Sequence, residues 1–163
     1  MHFKTIVISG TPGTGKSTLA KLISKKINFK ILDFKKILEE NKLNENYDFK
    51  RKCYMVDTKK LDKTLIKIIK NSKNPLIIES HLSHFLPRKY VNLCIITKCD
   101  LIILKKRLVK RKYDSFKIKE NLEAEIFNVC LDEAKRLRHN ILVVDTTKGV
   151  KNINLKDIIF MCK

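Results

Sequence analysis

Residues 8–18 read ISGTPGTGKST, and this stretch decides the fold. The chain of 163 residues has four glycines, and three of them, Gly10, Gly13 and Gly15, fall within six positions here. Glycine costs backbone entropy on folding, so such a cluster points to a backbone geometry that side chains would obstruct. Residues 10–17 match the spacing G-x-x-x-x-G-K-[ST] in full, with a β-branched run before them and a helix-patterned run after them. At average residue usage the four fixed positions arise by accident in under ~1% of chains this long, so the match outweighs a plain glycine turn.

Each residue type has a physical reason. Glycines let successive backbone N–H groups converge on phosphate oxygens with no Cβ in the way. The helix that follows adds its unpaired N–H groups and the positive end of its dipole. Lys16 can reach the β and γ phosphates of a nucleotide, the Ser17 hydroxyl can ligate Mg²⁺, and Thr18 lies on the α-phosphate side. The pattern points to nucleotide binding and leaves the reaction open, since kinases, ATPases, GTPase switches and helicases share the cradle.

Working outward, FKTIVIS (3–9) reads as a buried strand and KSTLAKLISKKI (16–27) as a helix. FKILD (29–33) reads as a second strand, FKKILEENKL (34–43) as a helix, and NENYDFKRKC (44–53) as polar and irregular. Asp57 can cap a helix through 58–72 whose Leu61, Leu65, Ile68 and Ile69 make one apolar face. PLIIES (75–80), VNLCIIT (91–97) and NILVVD (140–145) supply three more strands. Between them Asp100 caps a basic helix (101–112), a YDSF break follows, and one long helix is expected over 117–138. NLKDIIFMC (154–162) closes the chain as a helix. Strands alternating with helices imply an α/β fold, a five-stranded, mostly parallel sheet with helices on both faces, in one domain spanning 1–163.

Composition bounds the rest. Lys and Arg total 36 against 17 Asp and Glu, a net charge of +19. That charge suits nucleic acid or polyphosphate, and it equally suits a lysine-rich composition with solvated helix faces. The apolar fraction of 44% excludes a disordered polyelectrolyte. No apolar run reaches the length of a membrane span, and MHFKTIVISG lacks a secretory cleavage site. Five cysteines (Cys53, Cys94, Cys99, Cys130 and Cys162) with no CxxC pair read as reduced thiols, so a cytoplasmic protein is expected.

Three further segments bear on the chemistry. LIIESH (76–81) ends a buried strand with Glu79, placed to hold the water shell of Mg²⁺, and with His81 on the same side, able to orient a water or phosphate. Arg107 and Arg111 stand at i,i+4 on one helix face, where two guanidinium forks can clamp the transferring phosphoryl group; a solvated basic helix is the alternative. The fourth glycine, Gly149, stands in DTTKGV (145–150), a loop where an adenine ring can rest against backbone and the Lys148 stem.

Taken in order, GTPGTGKST, NYDFKRKCYMVD, IIESHLSHFLP, KKRLVKRKYD and NLEAEIFNVCLDEA (121–134) resemble the small adenylate-kinase-like ATPases of the isoenzyme six type, which are linked to small-ribosomal-subunit maturation. The resemblance runs from about residue 3 to 150, and the block with Asn121, Glu125, Ile126 and Phe127 is characteristic of that family. It implies a nucleoside-monophosphate-kinase-like fold with an AMP-binding insert near 31–55 and a short lid near 110–120. It implies phosphoryl transfer from ATP to AMP, ATP hydrolysis as a second activity, and a ribosomal protein of the small subunit as partner. By position, Gly13, Thr14, Gly15, Lys16, Ser17, Thr18 and Arg111 fall among ATP-binding residues, Lys148 in the adenine loop, and His81 in an Asp-x-His element associated with hydrolysis. That element begins here with Glu79 in place of Asp, Glu39 stands where relatives tend to carry an arginine near AMP, and KRKYD lacks the glycine after the lid arginine. An assembly factor with little AMP kinase activity, binding a ribosomal protein or rRNA, is the alternative reading.

Overall fold

Short runs rich in β-branched Ile and Val, too brief for a helix and apolar on either side of the pleat, suit strands buried on both faces. The computed structural model describes residues 5–49, 53–151 and 153–161 and arranges those runs as the centre of the molecule. Its strands are β1 (Thr5–Ser9), β2 (Lys30–Ile31), β3 (Asn44–Asp48), β4 (Cys53–Val56), β5 (Leu76–Glu79), β6 (Leu93–Lys98) and β7 (Ile141–Asp145). Its α-helices are α1 (Lys16–Ile27), α2 (Phe34–Glu40), α3 (Thr58–Asn71), α4 (Leu101–Lys110), α5 (Ser115–Ile126), α6 (Val129–Arg136) and α7 (Leu155–Met161). Among the described residues, five strands form a sheet in the order β2-β5-β1-β6-β7, parallel throughout, as the strand-helix alternation implied.

The pleat divides the core in two. Ile6 and Ile8 of β1, Ile77 of β5, and Leu93 and Ile95 of β6 pack with Leu19, Ala20 and Ile23 of α1 and Ile158 of α7. Val7, Ile78, Cys94 and Ile96 turn to the other face and meet Ile37 of α2, Leu61, Leu65 and Ile69 of α3, and Ala134 of α6. Helices therefore cover both faces. Truncating one of these fully buried side chains, Ile78→Ala for example, costs about 2–5 kcal/mol.

Helix starts follow the acidic caps. Asp57 accepts from the backbone N–H of Lys59 and Lys60, Asp100 from Ile102 and Ile103, and Asp114 from Lys117. In two places the structure departs from the sequence expectation. The helix expected over 117–138 is broken into α5 and α6 at Asn128, which sits in the left-handed region at φ 53°, a conformation Asn tolerates better than most residues. The stretch read as irregular contains an antiparallel hairpin, β3 with β4, in which Tyr47 faces Tyr54 with ring centroids 5.1 Å apart. The cross-strand aromatic pair supplies the pairing energy that the polar alternation conceals. Of the first expected strand, residues 3 and 4 lie outside the described residues, as do 50–52 of the segment between β3 and β4 and Cys162 of the closing helix. Among the described residues no helix is long and apolar enough to cross a membrane.

Candidate active site

The loop between β1 and α1 lies at the carboxyl edge of the central strand, where ligands of open parallel sheets bind. Gly10, Gly13 and Gly15 all have positive φ, at 137°, 92° and 89°. A Cβ on Gly10 would lie 2.6 Å from the Thr97 carbonyl oxygen, and one on Gly13 would lie 2.9 Å from Leu104 Cδ1. Close approach to the neighbouring strand and helix, as well as to any ligand, thus excludes side chains here. Thr14 is fully buried and turns its hydroxyl inward, donating to the Thr11 carbonyl at 2.7 Å. Gly15 caps α1 without a side-chain acceptor, which leaves the first N–H groups of the helix open to an anion.

Lys16 Nζ donates to the carbonyls of Gly10 at 2.7 Å and Thr11 at 3.0 Å. Burial lowers its pKa to about 8, against the opposing pull of the Glu79 carboxylate. The Ser17 hydroxyl donates to Glu79 Oε1 at 2.6 Å, so the two residues named from sequence as metal-binding oxygens do converge. They meet because β5 pairs directly with β1 and places Glu79 beside Ile8, just before the loop. A hydroxyl and a carboxylate oxygen are the hard donors that Mg²⁺ takes, so this pair fits that ion. Thr18 is exposed in the first turn of α1. His81 is partly accessible in the turn after β5, yet the atoms packed around its ring, and then the positive charge of Lys16, lower its pKa to about 4, which keeps the ring neutral at pH 7.

The arginine pair behaves differently from the expectation. Arg107 does not join Arg111 in a clamp. Its guanidinium donates to the Thr146 carbonyl at 2.7 Å and reaches the carbonyls of Thr147 at 3.3 Å and Gly13 at 3.5 Å. These contacts tie the phosphate loop to the loop after β7. Arg111 ends α4 and is exposed, and Lys112 after it takes φ 57°, the conformation that favours glycine. In the loop after β7, Thr146 Oγ1 donates to the Thr14 carbonyl at 2.6 Å, Gly149 has φ 84°, and Lys148 is exposed.

Two polar chains beside the site were assigned no chemistry from the sequence, where Glu125 entered only within the family block. Ser9, the last residue of β1, meets His84 Nδ1 at 2.7 Å, and His84 Nε2 meets Glu133 Oε2 at 2.8 Å. Glu125, 4% exposed, accepts the Thr11 hydroxyl at 2.5 Å and the Cys99 N–H at 2.9 Å, and pairs with Lys98 at 3.0 Å. A signal for Glu125 was available. It continues the i, i+4, i+7 row of Ile118 and Leu122, which packs on Leu104 and Leu108, so a carboxylate stands on a core-facing stripe.

The chain matches the family described as AAA domain over residues 6–128. It is 36% identical over 149 residues to a protein of Methanocaldococcus jannaschii named "Putative adenylate kinase", an alignment that covers 91% of this chain and 80% of the relative. It is 32% identical over 130 residues to the adenylate kinase isoenzyme 6 homolog of Caenorhabditis elegans, covering 80% and 71% of the two chains. Among solved structures, deoxyadenosine kinase from M. mycoides with bound dATP superposes with a TM-score of 0.52 at 19% identity, covering 96% of each chain, a likeness of fold alone.

Proposed function

The chain belongs to the family of the adenylate kinase isoenzyme 6 homologues, which makes it a P-loop enzyme of nucleoside-monophosphate-kinase type, and on that premise we propose that it transfers the terminal phosphoryl group of ATP to AMP. The products are two molecules of ADP, and ATP hydrolysis is a second activity. The observation that carries the reading is the convergence of Ser17 and Glu79 at 2.6 Å beside a glycine loop whose lysine and helix N–H groups suit a polyphosphate. In this reading the backbone of Gly13, Thr14, Gly15, Lys16, Ser17 and Thr18 holds the phosphates of ATP. The adenine lies by Lys148, in a loop that Arg107 positions from behind.

Ser17 and Glu79 are the residues that would hold Mg²⁺, which when bound neutralises charge on the β and γ phosphates. The acceptor is an oxygen of the AMP phosphate, already anionic at neutral pH, so transfer needs no general base. A bond forms between that oxygen and the γ phosphorus while the bond to the β–γ bridging oxygen breaks, and ADP departs. Positioning and electrostatics carry the catalysis. Lys16 and the exposed Arg111 stabilise the charge spread over the transferring group, and the segment 110–120 closes over it as a lid to exclude water. For hydrolysis the neutral His81 ring orients the attacking water. AMP sits against the insert near 31–55, where α2 carries Glu39. Lys35 and Lys36 of that helix pair only loosely with Glu39 and Glu40, at 3.7 and 3.6 Å in solvent, so both remain able to meet a phosphate.

A second reading has its own support in the net charge of +19. In it the nucleotide cycle of a cytoplasmic assembly factor drives capture and release of a small-subunit ribosomal protein beside rRNA, and transfer to AMP is slow. A coupled assay with ATP and each of AMP, CMP, GMP and UMP tests the first reading. ADP formation no faster with AMP than without it removes the kinase assignment and leaves the second.

A further inference from the structure

We propose that Glu125 is a positioning residue for the phosphate loop, acting through Thr11. The inference rests on the ATP-binding reading above and adds to it a clasp that none of the loop's own residues supplies. Glu125 lies on α5 and is 4% exposed, a depth at which an ionised carboxylate persists only if its oxygens are matched by donors. They are matched. Oε2 accepts the Thr11 hydroxyl at 2.5 Å, while Oε1 accepts the Cys99 N–H at 2.9 Å and lies 3.0 Å from Lys98 Nζ. Lys98 also donates to the Glu125 carbonyl at 2.8 Å, which fixes the end of α5 to the end of β6.

What makes this clasp a matter for nucleotide binding is the other side of Thr11. Thr11 is 3% exposed and its hydroxyl proton is already given to Glu125, so the side chain serves the protein interior. Its carbonyl is the hub of the loop. It accepts the Thr14 N–H at 3.2 Å, the Thr14 hydroxyl at 2.7 Å and Lys16 Nζ at 3.0 Å. A charge-assisted bond from Glu125 holds Thr11 from behind, and three donors hold it from the front. The peptide between them thereby sets the orientation of the following N–H groups that would meet phosphate. The same carboxylate joins the loop to α5, the helix that returns from the lid segment.

The test is isothermal titration of the full chain with ATP and Mg²⁺, comparing wild type with Thr11→Val, Thr11→Ser and Glu125→Gln. Thr11→Val keeps shape and removes the hydroxyl; it is expected to weaken ATP binding about tenfold, through loss of the loop's preorganisation. Thr11→Ser restores the hydroxyl and is expected to bind within about twofold of wild type. Glu125→Gln gives the same comparison from the other partner should Thr11→Val fail to fold. The double variant is expected to lose no more than the worse single one. A merely structural role would lower the stoichiometry of binding or the melting temperature and leave Kd unmoved. Wild-type binding with an unchanged Kd in both Thr11→Val and Glu125→Gln overturns the clasp alone. Failure of wild type to bind ATP overturns the nucleotide reading and the clasp with it.

Discussion

The Ser17 hydroxyl donates to Glu79 Oε1 at 2.6 Å and so joins the first turn of α1 to the end of β5. If these two oxygens serve one cation, altering either changes the metal dependence before it changes the fold. Glu79→Gln keeps the shape and removes the charge. We expect the Mg²⁺ concentration for half-maximal turnover to rise about 10–100-fold, with the melting temperature unchanged within a few degrees. Equal Mg²⁺ dependence in wild type and variant contradicts the assignment.

Lys16 provides a pH signature. With its pKa lowered to about 8 by burial, it is cationic below that pH and loses its charge above it. The cation is the form that attracts phosphate, so kcat/KM for ATP should be highest below about pH 7 and fall along a one-proton limb centred near 8. A profile level to pH 10 contradicts this. Lys16→Ala should abolish transfer with the fold retained, since the lysine bonds to loop carbonyls and contributes nothing to either face of the core.

Arg107 and Arg111 should separate by kinetic effect. Arg107 ties the loop after β7 to the phosphate loop through the carbonyls of Thr146 and Gly13. Arg107→Ala is therefore expected to raise KM for ATP and lower the melting temperature. Arg111→Ala, at an exposed helix end, should lower kcat with little effect on stability. Identical profiles for the two variants would restore the clamp that the i,i+4 spacing suggested.

Buried histidines set the acid response. His84 and His139 have pKa values held below the usual 6.5 by burial, so the folded state binds their protons less tightly than the unfolded state. The stability they contribute is present above pH 6.5 and is lost as pH falls through the window beneath it. Asp62 opposes this with one proton, because burial raises its pKa to about 6 and protonation there favours the folded state. In an Asp62→Asn background the melting temperature should fall between pH 7 and 5.5, and His84→Gln should make that fall shallower. A melting temperature that rises on acidification in that background contradicts the account.

Much of this was legible from residues alone. The loop spacing, the five strands and the caps at Asp57 and Asp100 follow from local rules, in which a residue type implies its own backbone geometry. The rest depended on partners distant in sequence. Arg107 has the spacing of a clamp, and only the position of the Thr146 carbonyl, 39 residues away, shows where its donors go. Glu125 and Thr11 are 114 residues apart, so a carboxylate on a core-facing stripe was readable while its purpose was not. The β3–β4 hairpin escaped because its polar residues hide an aromatic pair that acts only across strands.

The central claim is tested most directly by following the γ phosphate of ATP labelled at that position, with and without AMP. The account predicts that in the presence of AMP the label appears mainly in ADP, faster than in inorganic phosphate, and that Lys16→Ala removes both products. Label released only as inorganic phosphate, at a rate AMP does not change, would contradict it.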